Sequence, residues 1–457
     1  MKDLSRIRKH AWIGAAGLAV LLLFAWRAVH KQADAATGNA PPAIAVDTAT
    51  VTHADIPIYL SGLGTVQAFY TVTVTARVDG ELQKVAFTEG QSVHRGDLLA
   101  QIDPRPNQAA YEQAIAIHQE TGDRIGEAIG VNNTAVLLYE QGKFAAAKKK
   151  YEQSLAITRE IGEKRGIARA LTNLGILLHE QGQLVESRKL HEQSLAMRRE
   201  IGDKSGIALA LNNLAVVLID QGDLAAAQKA IDEQMPIFQQ AGIQRGLAYA
   251  MFLEAEVWKE EGKLDDARKE HEQALASRNK AGETTTAEDS LLALARLSIE
   301  QGHPAEAEQP ARQVLAQAQT EKAAGNEISA RVVLARSLLD QGKPAEAEKE
   351  IRAAELAVAS AEARLLVMEV AVTAGRIHAA NGKPAEASRS LTGALAEATR
   401  LDCGRCQLEA RLAIGEMEMK QGKKAAAREH LATLEKDATA KGFLLIASKA
   451  KVAAAGK

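Results

Sequence analysis

Small and apolar positions recur along most of this chain with a period of forty residues. Glycines fall at Gly142, Gly182, Gly222, Gly262, Gly302, Gly342, Gly382 and Gly422, each behind a polar residue such as Gln141, Gln181 or Gln221. Five residues after each comes Ala147, Ser187, Ala227, Ala267, Ala307, Ala347, Ala387 or Ala427. Seven residues before each comes Ala135, Gly175, Ala215, Ala255, Ala295, Ala335, Gly375 or Gly415. Between these columns the apolar residues keep helical spacing. In one unit, Ala170, Leu174, Leu177 and Leu178 predict a helix over about 167–180, and Leu184, Leu190, Leu195 and Met197 a second over about 184–200. Gly182 and Gly202 supply the left-handed turns that close them.

A helix pair of this kind cannot bury its apolar face alone, so it stacks on the next pair, and the small columns mark where paired helices come too close for a bulky side chain. The units Leu174-Gly175-Ile176-Leu177-Leu178 with Gly182, Ser187 and His191, and Ala135 with Leu138, Ala147, Tyr151 and Leu155, resemble the tetratricopeptide repeat. The standard unit is 34 residues. Forty resembles the longer-helix variety found in scaffold and motor-adaptor proteins and in bacterial regulators. The resemblance covers about residues 124–442, within an array spanning 107–442. It implies a mainly α fold, a right-handed solenoid of eight helix-turn-helix units. Later units drift, with Glu254 and Ala374 in the column of Leu174. Residues 443–457 read as a capping helix and tail.

The first hundred residues follow other rules. Residues 1–10 form a basic tail with Lys2, Arg6, Arg8 and Lys9, and Ala11 to Trp26 carries no charge. Sixteen helical residues reach about 24 Å, short of a hydrocarbon core of about 30 Å. Extension to Val29, with Arg27 snorkelling, gives a sufficient anchor over 11–29, and Trp12 and Trp26 sit at interfacial positions. The flanking charges orient it with the bulk of the chain outside the cytoplasm: a single-pass protein of a bacterial inner membrane, periplasmic beyond the anchor. A cleaved signal peptide ending at Ala33-Asp34-Ala35 is the competing reading, disfavoured by the distance of that site from the apolar run.

After a linker over 30–43, residues 44–106 read as short strands and turns, with Val85 to Phe87 a strand and Glu89-Gly90 a turn. Gly62-Leu63-Gly64-Thr65-Val66, Val78-Asp79-Gly80-Glu81-Leu82, Phe87-Thr88-Glu89-Gly90-Gln91-Ser92-Val93 and Gly96-Asp97-Leu98-Leu99 through Ile102-Asp103-Pro104 resemble the N-terminus of periplasmic adaptor (membrane fusion) subunits of RND-type multidrug efflux pumps. The match spans about 44–112. It implies the first half of a lipoyl-like module, to be followed by a long helical hairpin, the second half-module and a β-barrel. Here the repeats take over after about Tyr111. A half-module leaves an apolar face and strand edges to be covered by a second copy, a partner or the first repeat. Fusion of two gene pieces without a joint function stays open.

Composition narrows the chemistry. A net charge of −2 gives no electrostatic case for nucleic acid. No phosphate-binding glycine loop, zinc-type cysteine set or nucleophile elbow occurs. The eleven histidines show no metal spacing, and His191 and His271 share the packing column of Tyr151. No residue is nominated as catalytic, and no cofactor or metal is expected.

Candidate binding residues come from the inward columns. The position after the small column reads Val136, Ile176, Val216, Glu256, Arg296, Arg336, Arg376 and Glu416. Its arginines, Arg296, Arg336 and Arg376, could hold an acidic segment or a peptide carboxylate; local pairing of Arg296 with Glu300 and Arg336 with Asp340 is the competing reading. Asn133, Asn173 and Asn213, with Asn132 and Asn212 beside them, form a second column. The tetratricopeptide resemblance implies that asparagines here bond the backbone of an extended peptide, against helix-to-helix bonding as the alternative. Cys403 and Cys406 flank a turn and are candidates for a local disulfide in an oxidising compartment. The expected function is a non-enzymatic scaffold for protein or peptide partners on the concave face, held to the inner membrane through 11–29. The alternative is an adaptor that joins an RND efflux pump.

Overall fold

A three-residue link of the form x-Gly-x both ends one helix and starts the next. In the computed structural model, which describes residues 82–93, 99–102, 105–359 and 362–456, Gly142 adopts φ +71° and Gly182 φ +72°. Beyond each, the chain closes a Schellman motif: the amides of Lys143 and Gln183 donate to the carbonyls of Leu138 and Leu178 at 2.8 Å. At acidic links the following side chain also caps the next helix. Asp123 accepts from Gly126, and Asp203 from Gly206, at 2.9 and 3.0 Å.

Repeated, this link yields eighteen helices among the described residues. Nine belong to the first position of a unit: α2 (Arg124–Glu140), α4 (Lys164–Glu180), α6 (Lys204–Gln221), α8 (Gln244–Glu260), α10 (Thr284–Glu300), α12 (Ala324–Asp340), α14 (Arg364–Ala380), α16 (Gly404–Lys420) and α18 (Leu444–Ala454). Nine belong to the second: α1 (Arg105–Thr121), α3 (Phe144–Glu160), α5 (Leu184–Glu200), α7 (Leu224–Ala241), α9 (Leu264–Ala281), α11 (Glu308–Glu321), α13 (Pro344–Val358), α15 (Pro384–Arg400) and α17 (Lys424–Ala440). Most run 17 residues, so a helix and its link fill half of the forty-residue period. The array therefore opens on a second-position helix and closes on a first-position one. α4 starts three residues before the expected 167, because the Glu163 carboxylate caps the amides of Arg165 and Gly166.

The small column behaves as its sequence demands. Ala135, Ala215, Ala255, Ala295 and Ala335 are fully buried. A Cβ at Gly175 would stand 2.6 Å from the His191 ring, and one at Gly375 or Gly415 2.5 Å from Leu391 or Leu431. Each is the seam between the two helices of a unit.

Ahead of the array, β1 (Leu82–Val85) pairs antiparallel with β2 (Ala100–Ile102) through Leu82↔Ile102 and Val85↔Ala100. The strand lies about three residues earlier than the expected Val85–Phe87, since Thr88 to Gln91 is taken up by the turn at Gly90, φ +82°. Leu82, Val85, Phe87 and Val93 are exposed. The anchor over 11–29, the linker over 30–43 and the adaptor-like residues before 82 lie outside the described residues. Among those described, no helix is long and apolar enough to cross a membrane.

Candidate functional site

The superhelix returns onto itself. Gln181 donates to Glu362, and Gln221 to Asp402, each at 3.1 Å across 181 residues. At forty residues per unit that is about four and a half units, so links after first helices meet links before first helices on the next turn. Contact is close enough to need glycine. A Cβ at Gly404 would lie 2.3 Å from the Gln221 carbonyl oxygen, and one at Gly182 2.6 Å from Leu401. Beneath this seam one apolar cluster joins Leu211, Leu218, Leu224 and Leu253 to Leu408, Leu412, Phe443 and Ile446. α18 thus docks on the middle of the array as well as on its end.

Closure turns the first helices of both turns toward a shared interior cavity of about 300 Å³. Six acids (Asp220, Glu256, Glu260, Glu300, Glu369, Glu409) and six bases (Lys259, Arg296, Arg336, Arg376, Arg405, Lys449) line it. All are paired. Arg405 donates to Asp220 at 2.7 and 3.0 Å and approaches Glu409 at 3.3 Å. Asp220 also meets the His179 ring at 2.8 Å. Lys259 bridges Glu256 and Glu260 at 2.5 and 3.3 Å. Glu300 takes Arg336 at 2.9 Å together with Lys449 of α18. Burial alone would raise the Asp220 and Glu300 carboxyls, yet their cationic partners hold each down to about 2. With equal numbers of each sign, every one satisfied, this cavity offers a ligand no unmet charge.

The open counterpart lies earlier in the array. A groove of about 670 Å³ runs between α4, α6 and α8, walled by Ile176, Leu209, Val216, Phe238, Ile243 and Tyr249. Leu209 is 46% exposed, so the apolar wall faces solvent. The Arg278 guanidinium lies 4.7 Å from the centre of the Phe252 ring and 5.6 Å from that of Tyr249, and donates to Thr286 and Ser290 at 2.6 and 2.7 Å, which fixes the Tyr249 wall. Burial raises the Tyr249 hydroxyl to about 12, keeping it a neutral donor. Asn212 and Asn213 line the floor. The Asn212 side chain is buried and its Oδ1 has no hydrogen-bond partner among the described residues. A buried amide oxygen left unpaired costs about 1–3 kcal/mol, which an incoming N–H would recover.

Comparison with known proteins agrees with this architecture. Family models described as Tetratricopeptide repeat match residues 127–200 and 166–240, 290–313 and 328–353, and 372–441. The chain is a tetratricopeptide repeat protein. Its array shares a fold with the Rap conjugation gene regulator of the plasmid pLS20, solved in complex with the Phr peptide: 13% identity, TM-score 0.52, covering 62% of this chain and 76% of that one. The N-terminal region matches the Multidrug resistance protein MdtA. Identity is 43% over 118 residues with the protein from Yersinia enterocolitica, covering 22% of this chain and 27% of the relative, and 59% over 73 residues with that from Yersinia pestis, covering 16% of each. The chain thus spans about a quarter or less of the length of these curated relatives.

On the tetratricopeptide array the column of Ile176, Val216, Glu256, Arg296, Arg336 and Arg376 does face the interior spaces. The arginines are not arranged as the sequence suggests. Arg296 donates to Glu369 at 3.0 Å, Arg336 to Glu300 at 2.9 Å and Arg376 to Glu416 at 3.0 Å. These pairs join different units, so neither a free ladder nor pairing of Arg296 with Glu300 and Arg336 with Asp340 describes them. The asparagines divide. Asn173 donates to Asn132 at 3.1 Å, a helix-to-helix bond, and Asn132, Asn133 and Asn173 lie outside the groove lining. Asn212 and Asn213 line it, and Asn213 donates to the Leu209 carbonyl at 3.1 Å. Cys403 and Cys406 form a buried disulfide at the start of α16.

Leu209, Tyr249 and Glu180 were missed from sequence. The signal for Glu180 is a fourth column: Glu140, Glu180, Asp220, Glu260, Glu300 and Asp340 repeat at forty residues, one helical turn beyond the inward column.

Proposed function

We propose that this protein is a non-enzymatic scaffold that captures an extended segment of a partner protein in the groove between α4, α6 and α8. One observation carries the reading: an exposed apolar wall beside a buried amide oxygen, Asn212 Oδ1, that lacks a partner among the described residues. A peptide backbone supplies the N–H, and its side chains cover Leu209 and Val216. The Rap regulator of the same fold was solved with a peptide, which supports the class of ligand. Residues 11–29 anchor the chain in a bacterial inner membrane and the right-handed solenoid stands in the periplasm, a compartment in which a Cys403–Cys406 disulfide persists.

A photo-reactive amino acid at Leu209 of the full chain tests it. Cross-linking in cells should yield a discrete partner, and Asn212→Ala with Asn213→Ala should reduce the yield. The same label at Val185, exposed on α5 outside the groove, serves as the control. Equal labelling from both positions would overturn the proposal.

The match to MdtA favours a second reading, in which the half-lipoyl-like segment joins an RND-type efflux assembly and the array recruits a further protein to it. Recovery of a pump with the full chain, but not with a chain lacking residues 44–106, would support it. A fusion without joint function predicts no specific partner for either.

A further inference from the structure

In the closed half of the array, each carboxylate of the acidic column that lines the cavity is met by a cation. Two of these cations come from the returning turn: Arg405 reaches Asp220, and Lys449 reaches Glu300. Lys259 serves Glu260. Glu180 holds the same position on α4, but lines the open groove. It has no hydrogen bond or ion pair among the described residues. His179, its neighbour in sequence, is hydrogen-bonded to Asp220 and reaches Glu180 only through its charge. Arg245, which also lines the groove, is paired with Glu283 at 3.3 Å. Burial raises the Glu180 carboxyl above its ordinary value and the nearby Asp220 charge adds to this, while the His179 charge offsets it only in part.

We propose that the groove selects a peptide carrying a lysine or arginine next to an apolar residue. The cation takes Glu180 as Arg405 takes Asp220, while the apolar side chain covers the Ile176–Leu209–Val216 wall and a backbone N–H meets Asn212 Oδ1. The inference rests on the peptide-capture reading and adds the chemistry of the ligand to it. A basic segment is favoured over an acidic one because, among the described residues, Glu180 is the one carboxylate lining the groove and no unpaired lysine or arginine lines it.

Fluorescence anisotropy of the full chain, with three pools of labelled nine-residue peptides, tests this. Each pool fixes a leucine beside a central lysine, glutamine or glutamate and randomises the rest. The lysine pool should bind at least about tenfold more tightly than the glutamine pool, the range expected for a partly desolvated ion pair. Glu180→Gln should erase that difference while leaving the melting temperature and the affinity of the glutamine pool unchanged. Glu180→Lys should move the preference to the glutamate pool. Binding without charge preference, or a preference that survives Glu180→Gln, overturns the basic-peptide inference and leaves peptide capture standing. No binding by any pool overturns both.

Discussion

Arg405 and Asp220 lie 185 residues apart and share two hydrogen bonds, from Nε and Nη2 to Oδ1 at 3.0 and 2.7 Å. The pair is a bolt between successive turns of the superhelix. Removing Asp220 leaves the buried Arg405 only its longer contact with Glu409, at 3.3 Å. Asp220→Ala should therefore cost about 3 kcal/mol. Replacing both with apolar residues of similar length, Asp220→Leu with Arg405→Met, should cost much less. Denaturant unfolding of wild type, Asp220→Leu, Arg405→Met and the double variant gives the coupling energy. Additive single effects would show that the turns are held by the apolar seam alone.

The same bolt sets a pH window. Asp220 titrates at about 2 when folded, against an ordinary 3.8, so it contributes on the order of 2 kcal/mol above pH 4, lost as the pH falls toward 2. Glu300 behaves alike. His179 is the opposite case. Burial lowers its ring, but the hydrogen bond it donates to Asp220 and the nearby charges of Asp220 and Glu180 together outweigh this and leave the pKa raised above 6.5. Its contribution is complete below about pH 6.5 and is lost as the pH climbs through the folded value. Melting temperatures should peak on the weakly acidic side of neutrality. The difference between wild type and His179→Gln should shrink as the pH rises, and a gap that widens toward alkaline pH would contradict the assignment.

Gly175 tests the seam inside a unit. Alanine is the better helix former by up to about 1 kcal/mol, and alanine fills this column in five other units. Here the added methyl would stand 2.6 Å from the imidazole of His191, which is 1% exposed and pushed down to about 3 by burial. Gly175→Ala should destabilise by about 1–2 kcal/mol through overpacking. In a His191→Ala background the same change should become neutral or favourable. A stabilising single mutation would mean that the ring has room to move.

Local rules made most of the array legible. The x-Gly-x links, the small columns and the two helices per unit follow from nearest-neighbour packing, which sequence periodicity reports directly. Even the inward column was readable, since Arg296, Arg336 and Arg376 share the phase of Ile176 and Val216. Their partners were not. Arg296 meets Glu369 and Arg405 meets Asp220 because the superhelix closes after about four and a half units, and that pitch is a sum of small rotations no single unit displays. The division of the asparagines was equally hidden: Asn173 and Asn213 occupy equivalent positions, but Asn173 bonds to Asn132 and only Asn213 lines the groove. Two links lost their glycine without losing their shape, at Lys322 and Asp402, with φ of 58° and 55°.

Lys322 offers a gain in stability. A residue with a Cβ held in the left-handed region carries roughly 1–2 kcal/mol of strain, offset in part by the larger entropy that glycine loses on folding. Lys322→Gly should raise stability by about 1 kcal/mol or slightly less. Asp402→Gly should gain less, since Asp402 accepts a hydrogen bond from Gln221 across the seam at 3.1 Å. Melting curves of the two variants settle the order, and the reverse order would mean that the Gln221–Asp402 bond contributes little.

Phe443 ties the last helix to the middle of the array. Its ring is fully buried in the cluster that joins Leu211, Leu214 and Leu253 to Leu431 and Leu434, close against Gly222. It precedes α18, which carries Lys449 to Glu300. Phe443→Ala removes the ring and leaves a cavity, a loss of about 3–5 kcal/mol. The loss should be local, because a solenoid unit contacts its neighbours and, here, only the unit that returns beside it. Amide exchange should accelerate in α18, α16 and α8, while α2 and α3 keep their protection. Uniform acceleration, reaching α2 as strongly as α18, would show that the array unfolds as one cooperative body rather than by release of its closing helix.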